Sequence, residues 1–226
     1  MMAGALEIEA AGEVLTLLPQ RALFWPAMSM LVIADIHFGK AASFRAQGIP
    51  VPRGTTTENL EMLTMLVATT GATNVLFLGD FLHARHAHAA ATMGALQAWR
   101  DRHSDLALTL VRGNHDSHAG DPPLALGITV VDEPHRIGAF VFAHHPQSHP
   151  DGYVLAGHVH PVYRLAARGD ALRLPCFLFG KDSGLLPSFG AFTGGHPVAP
   201  TACERLFLVA PDEVIELTAR GRSRVS

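Results

Sequence analysis

Five short apolar runs in this chain each stop on side chains that can bind a metal ion or move a proton. Met30–Ala34 runs into Asp35-Ile36-His37, and Val75–Leu78 into Gly79-Asp80. Leu106–Val111 leads to Gly113-Asn114-His115-Asp116, Phe140–Ala143 to His144-His145, and Tyr153–Ala156 to Gly157-His158-Val159-His160. The continuous run Met30–Ala34 suits a strand buried on both faces, and the other four, with Thr109 the one polar residue among them, read as buried strands too. In an open α/β sheet the carboxyl ends of such strands form one rim, where ligands bind. The pattern therefore predicts a buried sheet with Asp, Asn and His gathered at one edge.

The rest of the chain fits around that sheet. Shorter strands are expected at Ala5–Glu9, Val14–Leu18 and Ala22–Trp25. Gln47–Gly54, with two prolines and two glycines, reads as loop. Thr55 and Glu58 fit a capping box opening a helix to about Thr70. Ala89, Met93, Leu96 and Trp99 mark a second helix over roughly His86–His103. Beyond His160 the pattern is strand and turn: Val162–Ala166, Leu172–Leu174, Phe177–Phe179, Leu206–Val209 and Val214–Leu217. Pro187–Pro200 reads as a long loop, and Arg220–Ser226 as a frayed tail. The order gives an α/β class with mixed sheets inside and helices outside, as a single domain over residues 1–226.

Composition narrows the function classes. With 48% hydrophobic and 16% charged residues the chain is too apolar for a disordered protein. A net charge of −3 argues against holding nucleic acid by bulk positive charge. Cys176 and Cys203 form no Cys-x-x-Cys pair, no secretory leader is recognisable, and no apolar run approaches a membrane span. A reduced, cytoplasmic protein without membrane contact is expected. The chain holds 14 histidines, an unusual surplus.

The rim would collect Asp35, Asp80, Asp116, Asn114 and six histidines, too many donors for one cation and about right for two. Mixed nitrogen and oxygen donors suit Mn, Fe or Zn better than Ca or Mg, and the thiolates of a closed structural zinc site are missing. Two ions about 3.5–4 Å apart that share a carboxylate suit phosphate ester hydrolysis.

In order and spacing, Asp35-x-His37, Gly79-Asp80, Gly113-Asn114-His115-Asp116, the strand-ending His144 and Gly157-His158-x-His160 resemble the calcineurin-like metallophosphoesterase superfamily. That resemblance implies a two-sheet mixed β sandwich flanked by helices in α-β-β-α layers. It implies Asp35, His37 and His160 on a first metal, Asp80 on both, and Asn114, His144 and His158 on a second. His144 is preferred to His145 because it directly follows its strand. His115 becomes the catalytic donor, Asp116 the group that orients it, and a metal-bridging hydroxide the in-line nucleophile.

Asp35–Arg45 with Gly48–Gly54, Leu174-Pro175-Cys176-Phe177 and Pro187–Gly195 resemble the ligase-associated DNA damage response endonuclease (PdeM) family more closely. This implies a phosphodiesterase or endonuclease with two divalent ions, Mn first and Fe or Zn as alternatives. It would act on DNA or another phosphodiester beside a DNA ligase, a helicase and an exonuclease, with a homo-oligomer left open. Lys40, Arg45 and Arg53 on the loop after Asp35-x-His37, and His83 three residues past Asp80, are candidate substrate contacts. Competing readings on the same centre are a small-molecule phosphatase or cyclic nucleotide phosphodiesterase, and a non-catalytic docking scaffold.

Overall fold

The computed structural model describes all residues except 1, 47, 49, 52–53, 168–169, 191–192 and 219–226. Arg53 and the tail from Arg220 lie outside the described residues.

Two mixed sheets pack face to face. The first holds, in spatial order, β1 (Leu6–Ala10), β2 (Glu13–Leu18), β3 (Ala22–Trp25), β4 (Met30–Ala34), β5 (Asn74–Leu78), β6 (Ala107–Val111) and β7 (Ile128–Val131). β1 to β4 form an antiparallel meander, and β4 to β7 run parallel. The parallel strands are joined through α1 (Lys40–Ala46), α2 (Thr55–Thr70), α3 (Ala90–Arg102) and α4 (Asn114–Ala119). The second sheet is built from β8 (His135–Ile137), β9 (Phe140–Ala143), β10 (Tyr153–Ala156), β11 (Pro161–Ala167), β12 (Asp170–Phe179), β13 (Ser183–Leu185), β14 (His196–Pro197), β15 (Arg205–Val209) and β16 (Val214–Leu217). Within it β9, β10 and β13 are parallel.

The apolar runs are continuous because both faces of the strands are buried. In β4, Val32 and Ala34 join Leu76, Phe140, Phe142, Phe177 and Phe207 between the sheets. Leu31 and Ile33 face the other way, onto Leu60 and Leu63 of α2 and Leu96 and Trp99 of α3. Each such side chain contributes about 1.5–3 kcal/mol by leaving water.

Several details depart from the sequence expectation. The described α-helices all fall before Gly120, and those in the core cover the first sheet, so no helical layer closes the second. The connection from β9 to its parallel neighbour β10 is too short to carry a crossover helix. β12 is one strand where two were expected: Pro175 sits where it changes partner, from β11 to β13 and β15. Gly54, with φ 100°, caps α2 in place of Thr55. Lys40 and Arg45 lie on a helix, α1, not on a loop. A 3-10 turn at Arg85–His88 separates His83 from α3.

Candidate metal centre

The carboxyl ends of β4, β5 and β6 in one sheet and β9 and β10 in the other meet at one rim. Five residues there hold left-handed backbone without being glycine: Asp35 (φ 52°), His37 (50°), Asp80 (50°), His158 (64°) and His160 (50°). Such conformations cost roughly 1–3 kcal/mol each and persist where the surroundings impose them. Two glycines make room for the side chains. A Cβ on Gly79 would stand 1.9 Å from His144 Nδ1, and one on Gly113 would stand 2.4 Å from Asp80 Oδ1.

Backbone N–H groups cross-link the strand ends and leave each carboxylate one open oxygen. His158 N donates to Asp35 Oδ2 at 2.9 Å, and Asp35 Oδ1 has no hydrogen-bond partner among the described residues. His115 N donates to Asp80 Oδ1 at 2.9 Å, while Asp80 Oδ2 lies 3.7 Å from His37 Nε2 and 3.9 Å from His115 Nε2. Thr193 O lies 2.9 Å from His160 Nδ1 and can only accept, so the proton sits on Nδ1 and Nε2 keeps its lone pair. That Nε2 is 3.5 Å from Asp35 Oδ1.

A second set adjoins the first. His144 Nε2 is 2.9 Å from Asn114 Oδ1, 3.0 Å from His158 Nδ1 and 3.5 Å from Asp80 Oδ1. His144 is fully buried, while His145 is part exposed and bound through Nδ1 to Glu133 Oε1 at 2.6 Å. The rings of His145 and His158 nevertheless lie 4.5 Å apart. Asp35, His37 and His160 group tightly enough for one cation, as do Asp35, Asp80 and His144, and His144, His145 and His158.

Burial sets the protonation states. It pushes His144 down to about 4, and with Lys40 nearby it lowers His37 strongly, so both rings are neutral near pH 7 and present lone pairs. Burial raises Asp80 against the pull of the His115 N–H bond. Burial also acts to lower His160, but Asp35 and the Thr193 carbonyl outweigh it and the net shift is upward. In the first set, Asp35 Oδ1, His37 Nε2 and His160 Nε2 are buried without hydrogen-bond partners among the described residues. Buried acceptor atoms left without partners are costly in an apolar interior. A divalent ion satisfies all three, so the residues fit one.

His115 is held differently from expectation. Its Nδ1 lies 2.8 Å from His83 O, so it donates there, and its ring stacks on His83 at 4.9 Å. Asp116 does not touch it by hydrogen bond. The buried Asp116 carboxylate accepts from Leu82 N at 2.9 Å and Gly113 N at 3.0 Å, because α4 turns its first residues back onto the β5 loop. Burial raises the Asp116 pKa to about 6.

His83 lies inside the cluster, 3.4 Å from His37 through their Nδ1 atoms, with a pKa pushed down to about 4 by burial and then by Lys40. Lys40 feels both Asp80 and Asp35, although burial lowers its pKa. Arg45 lies farther along α1, in a groove of about 150 Å³ with Thr55–Thr57 and Thr92. Sequence reasoning missed Glu133 behind His145 and the carbonyls of His83 and Thr193. It also missed Ser188, whose hydroxyl donates to Asp35 O at 2.8 Å, although Ser188 stands within the Pro187–Gly195 stretch.

A family model described as calcineurin-like phosphoesterase matches residues 28–171. The solved structure of a Pseudomonas putida nuclease, MPE, is 44% identical with a TM-score of 0.84, over 93% of this chain and all of that one. A phosphoesterase from Escherichia coli, YfcE, shows a distant likeness: 14% identity and a TM-score of 0.43, over 82% of this chain and 96% of that one. No curated protein matches the chain.

Proposed function

The chain belongs to the calcineurin-like phosphoesterase family, and from that premise we propose that it is a two-metal phosphodiesterase that cuts DNA. It is a metal-dependent phosphoesterase by family; the dinuclear centre and the DNA substrate are our reading. The observation that carries it is the set of three unpartnered buried donor atoms beside Asp80, which faces both donor groups. Likeness to the P. putida nuclease supports the choice of a nucleic acid.

Asp35, His37 and His160 would hold the first ion and Asn114, His144 and His158 the second, with Asp80 available to both. Two ions there would supply an acidified water and charge neutralisation for the phosphoryl group. His115, with Nδ1 committed to His83 O, presents Nε2; as an imidazolium it donates to a phosphoryl or leaving oxygen. Asp116 is a positioning residue that ties the His115 turn to the segment bearing His83. Lys40 and His83 border the site as contacts for the scissile phosphate, and Arg45 serves a more distant part of the substrate. Glu133 fixes His145 beside His158, at the edge of the second donor set.

Mn is the ion we assign first. Two free cysteines, and no described helix long and apolar enough to cross a membrane, support a cytoplasmic site of action. Work beside a ligase, a helicase and an exonuclease rests on the family resemblance. The test is Mn-stimulated hydrolysis of bis-p-nitrophenyl phosphate together with nicking of DNA. His115→Ala is expected to lower kcat on both by about 10²–10⁴-fold. DNA left intact while small diesters turn over removes the nuclease assignment, and a preference for monoesters moves the reading to a phosphatase.

A further inference from the structure

β11 leaves the site directly after His160 and pairs with β12 as an antiparallel ribbon whose register sets Arg164 opposite Arg173. Like charges directly opposite each other weaken a β ladder. Both residues are exposed, and neither forms an ion pair among the described residues. Arg173 donates to Gly195 O. A Cβ on Gly195 would lie 3.3 Å from Arg173 Nη2 and 3.1 Å from His160 O, so this guanidinium borders the backbone of a proposed metal ligand.

The two arginines share one face of the ribbon. Farther along β12, Phe177 and Phe179 on that same alternation enter the core between the sheets, whereas Cys176 and Leu178 pack on the opposite side. The arginine face therefore continues the side of the second sheet that looks toward the first. With Val162, Ala171 and Pro197 the arginines line a groove of about 380 Å³.

We propose that this ribbon face carries the sugar–phosphate backbone of the nucleic-acid strand, with a flanking phosphate between Arg164 and Arg173. The proposal rests on the phosphodiesterase reading of the metal centre. An anion between two guanidiniums turns their repulsion into paired charge-assisted hydrogen bonds. Arg164 lies four residues, about 13 Å of strand, beyond His160, out of reach of a small diester held at the metals. The ribbon thus distinguishes a polymer from a small substrate.

In Arg164→Ala/Arg173→Ala the ratio of DNA cleavage to bis-p-nitrophenyl phosphate hydrolysis is expected to fall about tenfold. The salt dependence of binding to single-stranded DNA should flatten by about 0.7 in log–log slope for each phosphate that is no longer neutralised. Arg164→Glu places opposite charges across the pair, so it should keep or raise Tm while lowering the DNA ratio. Binding of a fluorescent single-stranded oligonucleotide reads the ribbon apart from turnover. Weaker binding by the double variant supports the ribbon even if neither substrate is cut, an outcome that would count against the metal reading alone. Unaltered oligonucleotide binding, or equal losses on DNA and the small diester, overturns the proposal.

Discussion

At the scale of residues, the site is organised by which atoms are already occupied. Asp35, Asp80 and His160 each commit one atom to another strand end or loop; the second atom of Asp35 and of His160 has no partner among the described residues, and that of Asp80 faces His37 and His115. Asp116 commits both oxygens to backbone N–H groups. Asp116→Asn turns an amide N–H₂ toward one of those donors, so it should cost about 1–3 kcal/mol, read as a lower urea midpoint at constant m. It should also lower kcat, because the His115 turn loosens. The ligand candidates were legible because metals and protons require particular side chains, and those side chains stood at strand ends. The partner of His115 was not legible. It is the carbonyl of His83, and any residue type supplies a carbonyl. Glu133 was equally hidden, since an acidic residue 12 positions before its histidine partner carries no local signal.

At the scale of elements, legibility followed burial. β4, β9 and β10 are apolar and buried throughout, as is β5 past Asn74, and they stood out as continuous runs; β6, with Ala107 exposed and Thr109 half-buried, was marked chiefly by the residues that follow it. β7 and β8 are only partly buried and short, so their pattern is weak. α4 spans six residues, mostly polar, and has no apolar stripe to read. The helical layer on the second sheet was expected from likeness, and the short β9–β10 connection precludes a crossover helix there. The packing of α2 against α3 includes a polar link that hydrophobic periodicity does not show. Trp99 Nε1 donates to Thr64 Oγ1 at 3.1 Å, and Thr64 in turn donates to Leu60 O at 2.9 Å. Thr64→Val keeps the volume but strands the buried indole N–H. A loss of about 1–3 kcal/mol in chemical denaturation is expected, with kcat on a small diester unchanged.

At the scale of the whole molecule, the proposed centre is a clamp between the two sheets. Asp35, His37, Asp80 and Asn114 come from the first sheet's strand ends, and His144, His158 and His160 from the second's. Ions bound at the proposed centre would hold the sheets together at an edge where buried carboxylates and left-handed backbone otherwise oppose folding. A net charge of −3 looked unsuited to a phosphate ligand, but the two divalent cations of the proposed centre would reverse the sign locally, where the phosphate must sit. Metal loading should therefore stabilise the fold by mass action, by about 2.7 kcal/mol at a free metal concentration 100 times Kd. Chelation should lower Tm correspondingly. Whether two ions share Asp80 is read from the protein loaded with Mn(II), by metal analysis combined with electron paramagnetic resonance. Two ions per chain with an exchange-coupled spectrum are expected; one ion per chain, or two ions with independent spectra, would refute the shared centre.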